Sequence, residues 1–384
     1  MDSDTPTPSH IIDTNNSGSG FESLPSNSWP SPRFDTANTG YTPAQPPISS
    51  PVIRWQTSVS APPIEDASMD ATQPVVANKS VYTATQDGLF SLSLRDGTQQ
   101  WQQDLKPVTY SSIWGYGDIL LPPTVADQRM FLPTTNGLVG VDARDGSIVW
   151  RDTELQATGT PTVTNSSLFV PADGTLLMID PSDGSRQWSE QVDATMPALV
   201  DGTVVTVGDE VVAMDATTGE RRWGRPVSGD TYPVVVDGTV YTGTRDGLIG
   251  RSLSDGTEQW RIDRGRFSLP PVVTPDTIYA VERVPEGSEA TFAFTRSDDG
   301  SPEPRWCSDV GDGAVWAAAD DAVLGFHSGE YDGDVSPGLV MFTAQFGEAA
   351  WGYPSEVSPA PPAVLDNAIV SVSGDGVITA LGGE

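Results

Sequence analysis

Apolar and polar residues alternate along most of the chain, in short runs that turn signals interrupt. The runs VYTAT and LFSLSL (81–85, 89–94) and the runs VYTGT and LIGRSL (240–244, 248–253) are rich in β-branched and aromatic residues, and an Asp-Gly pair separates the members of each couple. This arrangement is typical of β-strands joined by tight turns. No segment has the 3.6-residue period of an amphipathic helix. The pattern therefore predicts an all-β protein.

A tryptophan marks a repeat of these strands. Eight of the eleven tryptophans are separated by 46, 49, 38, 35, 37, 46 and 45 residues. Because one hairpin cannot bury an indole alone, we predict that each of the eight docks its repeat on a neighbour. They are Trp55, Trp101, Trp150, Trp188, Trp223, Trp260, Trp306 and Trp351.

Two turns and a proline complete the repeat. A turn glycine stands four residues before the tryptophan in six repeats, and in the repeat of Trp306 it is Gly300. A second turn lies about nine or ten residues upstream, usually as Asp-Gly or Asn-Gly and once as Gly208-Asp209, and a short apolar run led by proline precedes it. These signals predict four strands per repeat, A to D, and four-stranded units at a period near 40 residues are the signature of a β-propeller.

The two ends of the chain determine the number of blades. Residues 361–381 supply A, B and C strands without a tryptophan, whereas residues 52–59 supply a lone D strand. We expect these two segments to pair and to form one composite blade. Seven complete repeats and this composite predict an eight-bladed β-propeller whose ring is closed by the N-terminal strand.

Two segments carry a resemblance to a known family. The stretch AMDATTGERRW (213–223) contains the complete motif Ala-x-Asp-x-x-x-Gly-x-x-x-Trp, which other repeats keep in part, and WPSPRFDTANTGY (29–41) has the order Trp, Arg-Phe, Asp and Asn-Thr-Gly. The chain resembles the pyrroloquinoline-quinone-type (PQQ-like) repeat propellers and is similar to BamB-like propeller proteins. The resemblance implies the quinoprotein alcohol dehydrogenase-like fold, and it is specific for fold rather than for function.

The resemblance also implies what a quinone-binding member would need. Its enzymes hold pyrroloquinoline quinone with a disulfide of adjacent cysteines, a stacking tryptophan and a calcium set of Glu, Asn and Asp. This chain has the single Cys307 and no Cys-x-x-Cys-His haem motif. We therefore predict no cofactor and no enzymatic activity, with a quinoprotein-type dehydrogenase that binds the quinone as the alternative.

Other candidates for chemistry are few. His327 is the only histidine outside the N-terminal tail, and without a second histidine or a nucleophile motif a structural role is favoured for it. Cys307 directly follows Trp306 and is expected to be a buried, inert thiol. Glu330, Asp332 and Asp334 have the i, i+2, i+4 spacing of calcium ligands, but the twelve-residue calcium-binding pattern is missing, so a solvated acidic loop is the favoured interpretation and no metal site is predicted.

The insertions indicate a binding face. Residues 102–122, which include Tyr110, Trp114 and Tyr116, and residues 60–73 extend D-to-A connections, while residues 284–289 and 328–337 extend B-to-C turns. In a propeller these two kinds of connection emerge on the same face. Because loops on a rigid scaffold usually carry binding, and exposed aromatic residues anchor interfaces, we predict that this face binds a partner. The alternative is that the three aromatic side chains plug the mouth of the ring.

Charge restricts the partners. The chain has 20 Lys and Arg against 52 Asp and Glu, which gives 20 − 52 = −32, and its only lysines are Lys79 and Lys106. Nucleic acid and anionic membranes are therefore excluded as electrostatic partners. An acidic, lysine-poor surface resembles that of proteins from extreme halophiles.

The N-terminal region differs in composition from the repeats. Residues 1–28 are rich in Ser, Asp, Asn, Thr and Pro and contain no apolar stretch. We predict a disordered tether over residues 1–28 and a propeller over residues 29–384. No signal sequence and no transmembrane run is visible, so membrane insertion is not expected. The resemblance implies an extracytoplasmic, cell-surface location, with a cytoplasmic location as the alternative.

The function predicted from these observations is that of a non-catalytic binding or scaffold module, monomeric, whose loop-rich face binds a protein partner. A quinoprotein-type dehydrogenase is the rival, and a propeller that senses a small ligand or polysaccharide at the cell surface is a third possibility.

The charge generates a prediction about salt. Electrostatic screening reaches about 30 Å at 0.01 M salt but only about 3 Å at 1 M, so dilution should strengthen repulsion among the carboxylates. We expect the thermal midpoint to fall as salt is lowered and the chain to expand or unfold at tens of millimolar. Circular dichroism melts across a salt series measure this; midpoints that do not change with salt would contradict the resemblance to halophilic proteins.

Overall fold

The structure is a computed structural model that describes most of the chain. The described residues are 12, 18–49, 51–59, 71–111, 118–229, 231–267, 269–283, 289–296, 301–308, 315–327, 338–355 and 359–383. Strands and turns make up the regular structure of this part of the chain. No helix within it is long and apolar enough to cross a lipid bilayer.

The strands of the first half are β1 (Val52–Ser58), β2 (Val75–Ala77), β3 (Ser80–Thr85), β4 (Gly88–Ser93), β5 (Gln99–Gln103), β6 (Thr109–Ser111), β7 (Asp118–Leu120), β8 (Thr124–Ala126), β9 (Arg129–Thr134), β10 (Gly137–Asp142), β11 (Ile148–Asp152), β12 (Thr162–Val163), β13 (Leu168–Ala172), β14 (Thr175–Ile179), β15 (Arg186–Gln191), β16 (Ala198–Val200), β17 (Thr203–Val207), β18 (Glu210–Asp215) and β19 (Arg221–Pro226). Those of the second half are β20 (Val234–Val236), β21 (Thr239–Thr244), β22 (Gly247–Ser252), β23 (Glu258–Ile262), β24 (Arg266–Phe267), β25 (Val272–Val273), β26 (Thr277–Arg283), β27 (Glu289–Thr295), β28 (Pro304–Ser308), β29 (Val315–Ala318), β30 (Ala322–His327), β31 (Gly338–Thr343), β32 (Ala349–Pro354), β33 (Pro359–Leu365), β34 (Ala368–Ser373) and β35 (Val377–Gly382).

These strands form eight antiparallel sheets arranged as the blades of a propeller, which confirms the predicted fold. Blades 1 to 7 are β2–β5, β8–β11, β12–β15, β16–β19, β20–β23, β25–β28 and β29–β32, and blade 8 has the order β1-β35-β34-β33. The short A strands of successive blades lie against one another and surround the central channel. Blade 6 has an extra strand, β24, which pairs with the end of β26. A separate hairpin, β6–β7, lies between blades 1 and 2 in sequence.

The composite blade closes the ring as predicted. In blade 8 the N-terminal β1 runs antiparallel to β35, with Trp55 opposite Ala380 and Ser58 opposite Val377. Main-chain hydrogen bonds between the two ends of the chain thus replace the C-to-D turn of the other blades. Because an unpaired β35 would present an open edge, this pairing removes a site for non-native strand addition.

Each blade packs on the next through buried apolar side chains from both sheets. Between blades 4 and 5, Val205 and Val207 of one blade meet Val235 and Val240 of the other in one cluster that also contains Trp223. The corresponding cluster between blades 3 and 4 contains Phe169 and the other side of the blade 4 sheet. Alternate residues of a strand therefore face opposite neighbours, so both faces of each sheet are apolar.

The predicted docking tryptophans join neighbouring blades by one recurring contact. The Trp223 indole donates a hydrogen bond of 2.7 Å to the Leu253 carbonyl oxygen of blade 5, and Trp188 makes the corresponding bond of 3.2 Å to Ala216. The indole also lies flat on the turn glycine of the next blade. A Cβ atom at Gly219, where φ is 76°, would come within 2.9 Å of the Trp188 ring, so both backbone conformation and space require glycine there.

The same indole-to-carbonyl bond recurs around the ring. Its other donors and acceptors are Trp55 and Leu94, Trp101 and Ala143, Trp150 and Pro181, Trp306 and Ala344, and Trp351 and Pro47. Trp260 packs against Tyr241 of its own blade with ring centroids 5.6 Å apart and the ring planes tilted by 55°. Its expected turn partner, Gly300, lies outside the described residues.

Part of the N-terminal region packs against the ring. Gly18 and Gly20 donate backbone hydrogen bonds to Ile53 and Arg54 of β1, and the Phe21 side chain is buried. Residues 18–28, which composition assigns to the tether, therefore lie against blades 8 and 1. The physical reason is the open outer edge of β1, whose carbonyl groups accept the amides of this glycine-rich segment.

The docking contact generates a stability prediction. Trp223 is 6% exposed, and truncation of a buried large aromatic residue costs about 3–5 kcal/mol. We therefore expect Trp223→Ala to lower the free energy of unfolding by about that amount in denaturant titrations. Trp223→Phe keeps a ring over Gly256 and loses the hydrogen bond to Leu253, so it should cost about 1–2 kcal/mol. A loss below about 1 kcal/mol for the alanine variant would show that this indole does not hold blades 4 and 5 together.

Candidate binding face and central channel

The hairpin β6–β7 positions the first group of predicted binding residues. Tyr110 lies at its centre, opposite Ile119 in the antiparallel register, while Trp114 and Tyr116 lie outside the described residues. The hairpin follows the D strand of blade 1 and precedes the A strand of blade 2, so it belongs to the face that carries the D-to-A connections. The insertion at residues 102–122 thus has a strand scaffold of its own.

The other sequence candidates are placed as follows. Glu330, Asp332 and Asp334 lie outside the described residues, in the connection between β30 and β31. His327 is the last residue of β30 and pairs with Gly338 in the sheet register. Cys307 is half-buried in β28, where it packs against the apolar cluster between blades 5 and 6. A structural role for this thiol is consistent with that position.

A cleft that sequence reasoning did not identify lies on the same face, between blades 4 and 5. Its volume is about 330 Å³, and two D-to-A connections and two B-to-C turns surround it. The lining residues are Asp193, Thr195, Val207, Gly208, Asp209, Val227, Ser228, Gly229 and Arg245. Polar groups predominate and both signs of charge are present, which suits a polar rather than an apolar occupant.

Two local features are found at this cleft. The B-to-C turn of blade 4 consists of Gly208 and Asp209, and Gly208 packs so closely on Asp193 that a Cβ atom would meet the Asp193 Cβ at 2.3 Å. The Thr195 hydroxyl is buried without a hydrogen-bond partner in the described chain, whereas the equivalent Thr72 of blade 1 bonds Thr83. The inverted Gly-Asp order of the turn was the only signal of this local difference in the sequence.

The central channel is occupied by the segment of residues 29–45, which we call the lead-in segment. Its backbone forms hydrogen bonds with the blades, and it meets them in the same order in which they follow one another along the chain. Trp29 pairs with Val76 of blade 1, and the carbonyls of Pro30, Thr36, Ala37, Thr39, Gly40 and Gln45 accept hydrogen bonds from Val125, Leu199, Val235, Val273, Ala318 and Asn367, which belong to blades 2, 4, 5, 6, 7 and 8. The inner A strands of blades 1, 2, 4, 5, 6 and 7 thus find main-chain partners inside the ring, and in blade 8 the partner is Asn367 in the turn between β33 and β34.

Arg33 of the lead-in segment is a buried cation held by backbone oxygens. It is 5% exposed, and its guanidinium donates to the carbonyls of Pro271 at 2.6 Å, Trp316 at 3.2 Å and Asn38 at 3.3 Å. These carbonyls belong to two blades and to the segment itself. Since a buried charge is costly unless its donors are bonded, the guanidinium fixes the segment relative to blades 6 and 7.

Asn38 performs the corresponding task on the other side of the channel. Its side-chain amide nitrogen lies 3.1–3.3 Å from the carbonyl oxygens of Met196, Pro197 and Pro233, and the residue is fully buried with φ at 61°. Asparagine tolerates this left-handed conformation better than most residues do. One side chain therefore connects the A strands of blades 4 and 5.

Asp35 organises the turn between these two residues. Its carboxylate accepts hydrogen bonds from the Thr39 amide at 3.0 Å and the Thr39 hydroxyl at 2.8 Å. Burial raises the pKa of Asp35 above its usual value, while the bonds from Thr39 and the nearby Arg33 charge lower it in part. The Asp and Asn-Thr-Gly positions of the lead-in segment, which carry part of the family resemblance, therefore have a structural explanation.

The residues of this chain do not fit the quinone site that the resemblance implies. That site needs adjacent cysteines, and the sequence has one cysteine. Among the described residues no group of three or more His, Cys, Asp or Glu side chains is placed to hold a metal ion.

Comparisons with known proteins agree with this geometry. The model of a family described as outer membrane protein assembly factor BamB matches residues 53–262, which is more than half of the 384 residues. No curated protein matches the chain.

Solved structures with the same fold are numerous and distant in sequence. BamB from Moraxella catarrhalis has a TM-score of 0.63 and 17% identity, over 85% of this chain and all of that one. The quinohemoprotein alcohol dehydrogenase ADHIIG from Pseudomonas putida HK5 has a TM-score of 0.68 and 12% identity, over 92% of this chain and 80% of that one. The quinohemoprotein alcohol dehydrogenase from Comamonas testosteroni has a TM-score of 0.67 and 12% identity, over the same shares of both chains.

The buried guanidinium generates the next prediction. Arg33→Met removes the donors and leaves the Pro271 and Trp316 carbonyls unsatisfied, so we expect the free energy of unfolding to fall by about 3 kcal/mol or more. Arg144→Met is the control, because Arg144 is exposed and its ion pair with Asp142 lies on the surface, where such pairs contribute little. Equal midpoints for the two variants in chemical denaturation would show that Arg33 does not hold the lead-in segment in place.

Proposed function

This chain belongs to the outer membrane protein assembly factor BamB family, and from that membership we propose that it is a non-catalytic propeller that binds a protein partner through its loop-rich face. The loop-rich face is the surface formed by the D-to-A connections and the B-to-C turns. It includes the hairpin β6–β7 and the cleft between blades 4 and 5.

One observation carries this proposal: the irregular features of the molecule are concentrated on one face. The hairpin β6–β7 interrupts one D-to-A connection there, and a polar cleft of about 330 Å³ lies between other connections. The channel, in contrast, holds the lead-in segment, whose main chain and side chains bond its wall. A partner can therefore reach the open surface of the loop-rich face, whereas the lead-in segment already occupies the wall of the central channel.

Charge supports a protein partner of a particular kind. With a net charge of −32 the propeller repels nucleic acid and anionic membranes. A partner with basic side chains would gain complementary charge, as at the carboxylates of Asp193 and Asp209 in the cleft. A surface glycan or small ligand bound on the same face is the second form of this proposal.

The proposed location is extracytoplasmic, at the cell surface, and its support is that the family takes its name from an outer membrane protein assembly factor. A quinoprotein-type dehydrogenase remains the competing proposal, because two of the structural relatives are quinohemoprotein alcohol dehydrogenases. Incubation with pyrroloquinoline quinone and calcium, followed by absorbance and native mass measurements, separates the two proposals. A stoichiometric quinone complex would favour the enzyme.

The loop-rich face generates a prediction about binding. Replacing residues 109–118 by a short Gly-Ser turn should leave the melting transition nearly unchanged, because surface loops change length at small entropic cost. Partner capture in high salt, measured by quantitative mass spectrometry against the native chain, should fall sharply. Trp114→Ala should reproduce much of the loss, about 2 kcal/mol or more if this side chain anchors the interface.

The outcomes separate three explanations. If the shortened protein unfolds, Tyr110, Trp114 and Tyr116 are a structural plug. If it folds and captures its partner as before, binding takes place elsewhere, and the cleft between blades 4 and 5 is the next surface to vary. Asp209→Lys, at an exposed turn position of that cleft, then tests the attraction of basic partners.

A further inference from the structure

A buried arginine lies in blade 5 at a position that is apolar in the seven other blades. The position is the residue of strand C that follows the sheet partner of the docking tryptophan. In blade 5 the partner of Trp260 is Gly250, and the next residue is Arg251, which is 8% exposed. The other blades have buried apolar residues there, namely Leu92, Val141, Ile179, Met214, Phe294, Phe342 and Leu381.

The side chain at this position faces the preceding blade. In blade 4, for example, Met214 belongs to the same cluster as Phe169 of blade 3. Arg251 therefore introduces a positive charge into the interface between blades 4 and 5, where the fold otherwise uses an apolar side chain.

The Arg251 guanidinium has few partners for a buried charge. Its Nη1 donates to the Gly256 carbonyl oxygen at 3.4 Å, and its Nη2 lies 3.5 Å from the Glu258 carboxylate. Its Nε is buried without a hydrogen-bond partner in the described part of the chain. Burial lowers the pKa of Arg251, Glu258 opposes that shift, and the charges of Arg261 and Arg225 add to it. Because a buried charge with open donors costs free energy, an apolar residue would be the more stable choice here.

Two more guanidinium groups lie beside Arg251. Arg225 of blade 4 donates to the Asp255 carbonyl oxygen at 2.6 Å, next to the Gly256 carbonyl that Arg251 uses. Arg261 of β23 donates two bonds, of 2.9 and 2.7 Å, to the Glu258 carboxylate that Arg251 also approaches. The Arg261 side chain is 32% exposed, and Arg225 is half-buried. The three groups thus line a groove on the outer rim between blades 4 and 5 that is open to solvent.

The carboxylates near this groove leave the arginines undersupplied. Glu258 is the one that contacts two of them, and both of its oxygens already accept from Arg261. The Asp255 carboxylate accepts the Thr257 amide at 3.0 Å and the Thr257 hydroxyl at 2.8 Å. Asp263 is 81% exposed and lies 3.8 Å from Arg261. In a chain with 20 basic and 52 acidic residues, three arginines around one close carboxylate reverse the overall ratio.

We propose that Arg225, Arg251 and Arg261 bind a phosphate group in this groove, either as free phosphate or as the end of a phosphate monoester. Guanidinium donors match the oxygens of phosphate in a two-bond fork. A tetrahedral oxyanion can accept from several arginines at once, which the two oxygens of Glu258 do not achieve. The groove lies on the rim beside the C-to-D turn of blade 5, so the proposal is independent of the loop-rich face and of the function proposed for it.

Isothermal titration of the full chain with inorganic phosphate, in about 0.5 M KCl to screen the overall charge, tests the proposal. We expect saturable binding that Arg251→Met weakens about tenfold or more. Methionine is the residue of blade 4 at this position, so the melting midpoint of the ligand-free variant should not fall. The matched control is Arg222→Met, which removes the same charge from the rim of blade 4, where Arg222 pairs with Asp215 at 2.8 Å. It should bind phosphate as the native chain does.

A second variant separates a binding site from a structural ion pair. Glu258→Gln removes the carboxylate that competes for Arg261 and Arg251, so phosphate should bind more tightly, by about threefold or more. A parallel titration with phenyl phosphate distinguishes the sources: equal binding of both compounds indicates a monoester ligand, and binding of inorganic phosphate alone indicates the free ion.

Three results would overturn the proposal. The first is no saturable binding of either compound. The second is equal affinity of Arg251→Met and Arg222→Met, since phosphate also stabilises folded proteins without a site. The third is weaker binding by Glu258→Gln while its melting transition remains cooperative, because the carboxylate would then support the ligand instead of competing with it.

Discussion

The hydrogen bond from a docking indole to a carbonyl of the neighbouring blade is the contact on which the rest of the ring depends. It joins two sheets that share no main-chain pairing, and the flat ring above a turn glycine fixes their separation. The exception confirms its importance. Blade 8 is made from both ends of the chain and has no C-to-D turn, and there Trp351 donates instead to Pro47, just beyond the lead-in segment. The contact is preserved although its usual acceptor does not exist.

The same contact explains how much the sequence could predict. A tryptophan and a glycine at fixed spacing are needed in each blade, so the repeat, the number of blades and the composite blade could be read from residues such as Gly219 and Trp223. Features that form between distant segments of the chain have no comparable pattern in the sequence. The cleft depends on how closely Gly208 approaches Asp193, and the course of residues 18–28 depends on the edge of β1. Composition alone predicted a tether for residues 18–28. The contacts of this segment with β1 are made by main-chain amides, and such contacts are not visible in the types of side chain.

The lead-in segment shows how a motif can have a structural origin. The side chains of Arg33 and Asn38 donate mostly to carbonyl groups of residues that precede or begin the A strands. In several blades these residues are prolines, such as Pro271 and Pro233. Proline starts an A strand without an unsatisfied amide, and its carbonyl then faces the channel. One guanidinium and one carboxamide supply the missing donors. The Arg, Asp and Asn-Thr-Gly positions of the lead-in segment therefore follow from the geometry of inner strands that need partners, and they require no ligand to explain them.

The position of the lead-in segment also determines when the fold can be completed. Residues 29–45 are synthesised before the blades, but their hydrogen-bond partners extend from Val76 to Asn367, and β1 must wait for β35. Contacts of such long sequence separation slow folding, because the entropy of closing the chain is lost before the contacts form. A nascent chain has its central segment but not the ring that surrounds it. The final architecture is therefore assembled only after the last blade has left the ribosome, and until then the inner strands remain open to incorrect pairing.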